Sequence, residues 1–467
     1  MSVEMPFCND KMNLPCGVRC KVLRSWLGLL AVMFGLGGCA TYSGSFGVIE
    51  RNLAAQQYDA ALSNIEKESG SQKDRVLYLL NKGMVLRMKR DFAGSNIALE
   101  AAKAEMDRLY AASVSENALS VMVNDSTVSY SGDNYERVLL HFYMALNYLE
   151  LGQPDSARIE ALQIDAKLRE FAEKVPDSNY AEDAFALYLT GMIYEDGGEW
   201  SDAMISYRSA YKVYKKYLND YAVAMPSILK NDLLRMARQQ GLTNELKQYK
   251  NEFGIDLPNS KERIPDQGEL VFVLNNGLAP IKREKAADLF EPATASIVRI
   301  ALPSYESRTN NVVAARISVI DKQATTELME DIDAIAKKNL DSHMPAIIGR
   351  SVARMVVKAA ANKTARHAAT KNNNDDAMVG VLGALAFQVA TVVTERADTR
   401  SWLTLPANIQ LARMSLPPGS YSVKVELLGV DRQVVATQDY PGIVIRKAHK
   451  TFLTQHWVPN QLSTTRR

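Results

Sequence analysis

Cysteine is scarce in this chain: four in 467 residues, too few for a disulfide-dense scaffold. Histidine is almost as rare. His141, His343, His367, His449 and His456 are scattered without metal-ligand spacing, which argues against a zinc-finger protein. Charge of one sign is lacking too. Fifty-five Lys and Arg stand against 53 Asp and Glu, so no global field recruits nucleic acid. The signatures of catalysis are missing: no nucleophile elbow, Walker loop, His-Glu-x-x-His, paired cysteines or dinucleotide-binding glycines. Acidic pairs occur, but unpositioned carboxylates carry no signal for acid–base work, and His456 beside Trp457 reads as packing. What remains is 47% hydrophobic and 23% charged, neither disordered nor a multi-span membrane protein. The length suits about three domains at roughly 150 residues each.

The front of the chain carries an address. Lys21 and Arg24 precede an apolar run from Trp26 to Leu36, long enough for a secretory signal and too short to span a bilayer. Leu36-Gly37-Gly38-Cys39 follows. These four residues resemble the lipobox of bacterial lipoproteins. The resemblance implies cleavage between Gly38 and Cys39, a diacylglyceryl thioether on the Cys39 sulfur, and an acyl chain on the new amino terminus. That covalent lipid is the only group expected; no cofactor or metal is. Several chains anchor stably where one is marginal. Ala40, in place of an Asp, implies sorting to the periplasmic face of the outer membrane in a host with two membranes. The competing reading is an ordinary signal with a chance cysteine. Cys8, Cys16 and Cys20 precede the cut, so no disulfide is expected in the mature chain. The cut also removes four basic and two acidic side chains, leaving no net side-chain charge. The stretch before Lys21 is long for such a signal, and Met12 is an alternative start.

From about residue 48 to 256 a helical period dominates. Leu187, Gly191, Tyr194, Trp200, Ala203, Tyr207 and Ala210 follow one another at offsets of 4, 3, 6, 3, 4 and 3. This resembles the tetratricopeptide pattern of large, small and aromatic positions on two successive helices. Small residues belong where the helices cross closely, because only Gly or Ala lets the backbones approach. Weaker copies precede it: Leu79, Gly83, Leu86, Phe92, Ser95, Leu99 and Ala102, and Ala145, Tyr148, Pro154, Ala157, Ala161 and Ile164. The segment 58–62 looks like the middle of another unit. The repeat-packing set is therefore Gly83, Ala145, Gly191, Tyr194, Ala203 and Ala210. Its small first-helix positions are spaced wider than the roughly 34 residues of a strict array, so insertions are expected, with a loop at 121–134. Beyond Pro226, helices around 228–239 and 244–253 would cap the stack. Stacked pairs make a concave face suited to a peptide or another protein; an irregular bundle is the alternative. Tyr188, Tyr194, Tyr207, Tyr211, Tyr214, Tyr217 and Tyr221 read as packing between repeats, against the competing reading of an aromatic binding surface.

A linker at 257–268 ends the helical region. β-branched apolar runs follow at 270–274, 296–301, 312–319, 409–416, 421–428, 433–437, 443–445 and 451–457, which suggest a sandwich built from 269–322 and 398–467. Residues 416–423 resemble the edge-turn of transthyretin-like and immunoglobulin-like modules. Residues 323–397 read as an inserted helical pair. Leu328, Ile332, Ile335 and Leu340 form one stripe; after Pro345, Val352, Met355, Val356 and Ala359 form another. Arg350, Arg354 and Lys358 lie opposite, as candidate membrane contacts on a basic amphipathic helix or as an ordinary solvated face. Residues 377–393 carry only Gln388 and Thr391 as polar side chains, at the lower limit for a spanning helix or buried in the fold. Asp398, Arg400 and Trp402 are candidate recognition residues, with an internal ion pair and a packed Trp as the alternative.

The lipobox, the degenerate repeats, the 275–280 stretch Asn-Asn-Gly-Leu-Ala-Pro and the phrase 397–408 together resemble a family of bacterial lipoproteins of unassigned function. The expected fold class is multidomain α + β: residues 1–38 a signal peptide, 39–47 a lipidated tether, then a TPR-like helical solenoid at 48–256 and the β-sandwich-like domain with its helical insertion. The expected function is a non-enzymatic scaffold for a protein or peptide partner in the periplasm. A membrane-inserting assembly component acting through 346–393 is the runner-up, and a cell-envelope enzyme a distant third.

Overall fold

The computed structural model describes residues 42, 46–115, 128–174, 182–255, 267–291, 296–370 and 396–460. The helical half consists of α1 (Gly47–Ala54), α2 (Tyr58–Glu66), α3 (Arg75–Met88), α4 (Phe92–Ser115), α5 (Asn134–Glu150), α6 (Pro154–Lys174), α7 (Ala184–Asp196), α8 (Trp200–Tyr221), α9 (Ser227–Gln239) and α10 (Thr243–Phe253). Consecutive helices pack as pairs, and each pair packs on the next. A left-handed residue turns each pair at the same place: Gln56, Arg90, Gly152, Gly198 and Gly241, with φ between +57° and +77°. Inside the pairs the helices touch at small residues. A Cβ on Gly191 would lie 2.5 Å from Tyr207, and one on Gly83 would lie 2.7 Å from Leu99. Ala145, Tyr194, Ala203 and Ala210 are buried in the same packing. The tyrosines of α7 and α8 are buried too, and several meet edge to face, as Tyr214 does Tyr217 and Tyr217 does Tyr221.

The β half consists of β1 (Gly268–Asn276), β2 (Ile281–Glu291), β3 (Ser296–Glu306), β4 (Val312–Val319), β5 (Lys322–Thr325), β6 (Glu327–Asp331), β7 (Asn408–Leu416), β8 (Gly419–Gly429), β9 (Val434–Ile445) and β10 (Lys450–Trp457). One sheet runs β10-β1-β7-β6, another β5-β4-β8-β9, and β2 and β3 form a separate hairpin. Strand β1 is parallel to β10 and antiparallel to β7, with Phe272 opposite both Leu453 and Ala412. The sequence explains why β1 reads as an unbroken apolar run. Leu270, Phe272 and Leu274 point between the two sheets, against Ile317, Val423 and Val425. Val271 and Val273 point the other way and join Ile409, Leu411 and Phe452 in the core of the helical half. The molecule is thus three layers deep: helices, sheet, sheet.

That arrangement corrects two expectations. The face offered by α5 and α7, expected to hold a partner, carries the protein's own sheet: α5 packs on β10 and α7 on β6. The segment 323–397 does not begin as a helix. Leu328 belongs to β6, paired with Gln410, and the four-residue step to Ile332 imitates a helical stripe across a strand–helix junction. Helix α11 (Ile332–Thr370) then runs straight through Pro345 instead of breaking there. Pro345 is exposed, so the carbonyl that loses its partner reaches water. Strands β2, β5 and β6 were unforeseen, and the two runs at 433–437 and 443–445 are one strand, β9, continuing across Pro441-Gly442. Residues 1–41 and 371–395, with the lipobox and the apolar run 377–393, lie outside the described residues. Among the described residues no helix is long and apolar enough to cross a membrane.

Polar seams lock the sheet to the helices. Arg413 of β7 forks onto Glu269 of β1 at 2.7 and 2.6 Å and reaches Asp232 of α9 and the Tyr188 hydroxyl. Lys450 of β10 lies 3.3 Å from Glu195 of α7, which also pairs with Arg235 at 2.7 Å. Burial alone would raise the carboxyls of Glu195 and Asp232. Lys450, Arg235 and Arg413 outweigh burial at Glu195, and Arg413 and Arg235 do so at Asp232, holding both below the usual carboxylate range. On β6 the balance is reversed. Burial, and then the neighbouring carboxyl of Asp183, push Glu330 well above that range.

Candidate functional site

The segment before α5 folds back on itself because Glu136, one turn into the helix, gathers donors. It accepts the Asp133 amide at 3.1 Å, the Tyr130 hydroxyl, and the Trp402 amide at 2.7 Å. One buried carboxyl thus fixes three pieces of chain: 128–133, α5 and the 396–407 connection. Burial, with Asp133 next, pushes it up to about 7. Beside it Arg400 donates to Asp398 at 2.9 and 2.7 Å, to the Val128 carbonyl at 2.8 Å and to Asp74 at 3.2 Å. Lys282, from β2, sits 3.7 Å from Asp133 and 5.1 Å over the Tyr305 ring.

Above this floor the helix α11 leans across the β2–β3 hairpin and encloses a cleft of about 370 Å³. Arg350 and Arg354, one turn apart, enter it from the helix, and Arg396 enters from the start of the connection. Arg354 donates to Ser351 at 3.1 Å. Leu340, Ile347 and Pro303 make an apolar wall, and His343 stands at the edge. The described lining therefore holds five Lys or Arg against Asp133 and Asp398.

The structure brings together residues that the sequence presented as two unrelated sets. Asp398 and Arg400, candidates for recognition, share the cleft with Arg350 and Arg354, candidates for membrane contact. Arg354 is only 6% exposed, so it is not on a solvated or lipid-facing surface. Trp402 is not part of the cleft. It is 1% exposed, packs edge-on to Tyr143 at 6.1 Å and donates its ring N–H to Thr404 at 3.0 Å. The side chain of Lys358, and Gly38 and Cys39, lie outside the described residues. Lys282, Asp133, Tyr130, His343 and Arg396 were not foreseen. They come from segments distant in sequence, and no local spacing joins them.

Two of the histidines are held in packing. His141 pairs with Glu160 at 2.7 Å inside the helical core. His456 contacts the Gly277 carbonyl at 2.9 Å, and burial drops it to about 4. Among the described residues no cluster of His, Cys, Asp and Glu is arranged to hold a metal ion.

No family model matches the chain, and no curated protein does. Several solved structures are similar to a part of it. MamA from Desulfovibrio magneticus is 12% identical, with a TM-score of 0.28, covering 45% of this chain and 89% of its own. A putative kinesin light chain of Podosopora anserina, with TPR-like repeats, is 13% identical, with a TM-score of 0.30 and coverage of 44% and 90%. A plasmid-borne Rap conjugation gene regulator, solved with a Phr peptide, is 13% identical, with a TM-score of 0.27 and coverage of 45% and 53%.

Proposed function

We propose that this protein is a lipid-tethered, non-enzymatic scaffold of the bacterial cell envelope, held at the periplasmic face of the outer membrane through Cys39, and that it docks a protein partner on the outer side of its helical stack. The observation that carries the docking is a row of isoleucines. Ile97, Ile159 and Ile205 are 74%, 56% and 56% exposed. Each lies two residues before Leu99, Ala161 and Tyr207, which are equivalent positions in three successive repeats. One exposed isoleucine is ordinary; the same one in three consecutive repeats is a recurring feature of the stack. Ala93 and Ala101 flank Ile97 one turn away on either side, with Glu100 beside them, so this stretch is an apolar stripe edged by charge, which suits a protein surface. The first helices α5 and α7 do not offer such a face, because they carry the sheet.

The test is crosslinking in living cells with a photoreactive amino acid placed at 97, 159 or 205. The reading expects one adduct of defined mass common to all three positions. It expects that adduct to vanish when the two unlabelled isoleucines become Glu, with the melting temperature unchanged because the positions are exposed. Adducts that differ at each position, or that survive the Glu changes, count against it.

A further inference from the structure

We propose that α1 and α2 form a detachable strap. The two helices open as one unit, uncover an apolar seat at the end of the β half, and are biased toward opening by the buried guanidinium of Arg308. Arg308 lies in the connection from β3 to β4. Its side chain is 4% exposed, and among the described residues none of its three guanidinium nitrogens has a hydrogen-bond partner. It stands 5.5 Å over the ring of Phe46, the N-cap residue of α1. A ring face attracts a cation but poorly replaces the water that a guanidinium gives up. Glu50, in the first turn of α1, is 3.8 Å away, beyond hydrogen-bond reach. The start of a helix carries partial positive charge, so α1 also repels the cation that it covers. Burial draws the guanidinium down to about 10. A cation in this state opposes closure of the helix that buries it.

The remaining hold on the pair is light. α1 has eight residues and buries Ile49 and Leu53, and α2 has nine and buries Ala61 and Ile65. α7, in the middle of the stack, buries eleven of thirteen. Helices as short as α1 and α2 do not persist in water alone, so both depend on their packing. That packing is a small core of its own. It sets the pair on Val85 and Met88 of α3 and on Leu278, Leu403 and Val458 of the β half. Glu66 reaches Lys82 at 2.5 Å and Asp59 reaches Lys89 at 2.6 Å, but these ties lie on the surface, where ion pairs contribute little. Upstream, Asn81 donates to the Tyr42 hydroxyl at 2.7 Å, and a full release of the strap breaks that bond too. Light burial, a separate core and exposed pairs mark a unit that opens before the whole fold does. The expected tether leads straight into α1, so a pull on the anchor reaches this pair first among the helices. That trigger rests on the lipid-anchor reading; the opening does not.

Native-state hydrogen exchange, read by mass spectrometry on the full-length protein in a non-ionic detergent, tests the strap. Amides of 47–54 and 58–66 should exchange about a hundredfold or more faster than those of α7, and the two helices should share one opening constant. Arg308→Met keeps an unbranched stem on Phe46 and removes the charge. It should slow exchange in both helices by about tenfold and leave α7 unchanged, because an apolar side chain in place of a buried ion often stabilises. Arg308→Lys keeps a charge and should leave exchange fast. Cys39→Ser should exchange as the parent does, which separates failure of the strap from failure of the anchor. Four results overturn the proposal: protection of α1 and α2 equal to that of α7; unrelated opening in the two helices; an Arg308→Met variant that does not fold or exchanges as fast as the parent; an Arg308→Lys variant as slow as Arg308→Met.

Discussion

Where β7 meets α9, the sheet is joined to the helices by a cation set among carboxylates. Where β6 meets the start of α7, it is joined by two carboxyls side by side. Both seams bury ionisable groups, so burial penalises charge in each. The difference is the sign of the neighbour. At Arg413 the attraction of Asp232 and Glu269 exceeds the desolvation penalty, and the Asp232 carboxyl is held below the usual carboxylate range. At Glu330 the Asp183 charge adds to the penalty, and the proton stays on. Burial by itself therefore does not say how a seam responds to acid or base; its partners do.

The largest effect is expected at Arg413. Arg413→Met keeps an unbranched stem but removes the guanidinium, leaving Asp232 with Arg235 alone and Glu269 with the more distant Lys450. A buried charge stripped of its partner costs about 3–5 kcal/mol. Chemical denaturation of this variant against the parent measures it. A loss below about 1 kcal/mol would mean that the network contributes little once its desolvation is counted, and the contrast between the seams would collapse.

Gly191→Ala reaches the same seam from behind. The new Cβ would lie 2.5 Å from the Tyr207 ring, which is fully buried and donates its hydroxyl to Glu195 at 2.6 Å. The ring must shift, at about 1–3 kcal/mol for overpacking. Gly83→Ala meets Cδ2 and Cγ of Leu99, a smaller and more adaptable side chain than a hydrogen-bonded ring, and should cost less. Equal losses in paired melting experiments would show that the crossing, and not the tyrosine's link to the seam, sets the penalty.

These two glycines also show what the sequence made readable. Gly83 and Gly191 stand in a spacing of large, small and aromatic residues that is local, so the helical pairs and the two helices after Pro226 could be read from it. The alternation from Tyr421 to Leu427 marked β8 in the same way. What escaped was non-local. Nothing in the spelling of β1 and β10 says that they pair in parallel across almost the whole β half. Leu328 deceived because a strand ending four residues before a helix shares the helix's spacing. The cleft was half legible: Arg350, Arg354, Asp398 and Arg400 were singled out, but for separate reasons, because only the folded chain brings α11 over the hairpin.

The two seams should also separate along the pH axis. Asp232 and Glu195 have depressed folded values, so their stabilisation is present above the unfolded carboxylate range and is lost as pH falls through it. Glu330 has a raised folded value. Its stabilisation is complete below the unfolded value, about 4.3, and is lost as pH rises toward the folded one. Glu330→Gln keeps the shape and removes the ionisation. It should stabilise the protein by about 1 kcal/mol or more at roughly pH 8, and by nothing near pH 4. The acid limb should be untouched. Melting curves across pH give both limbs at once; a variant that lost its acid limb as well would show that the seams are coupled.

Cys39→Ser should have the smallest effect on the fold and the clearest effect on place. Both seams lie after residue 180, and the core that joins them contains no disulfide to lose. Neither limb of the pH profile should move, and the melting temperature should stay within the scatter of a surface change. A hydroxyl does not replace the thiolate in thioether formation, so the acyl anchor should be absent. With the side-chain charges of the expected mature chain balanced, no general electrostatic attraction takes over the role of the anchor. Metabolic acyl labelling with envelope fractionation reads the second effect, and melting of the purified variant reads the first. A Ser variant that still carries label in the outer membrane defeats the lipobox reading. One that is unlabelled but also loses the acid limb would mean that the tether reaches into the Arg413 seam, and that the two seams differ by more than the sign of their neighbours.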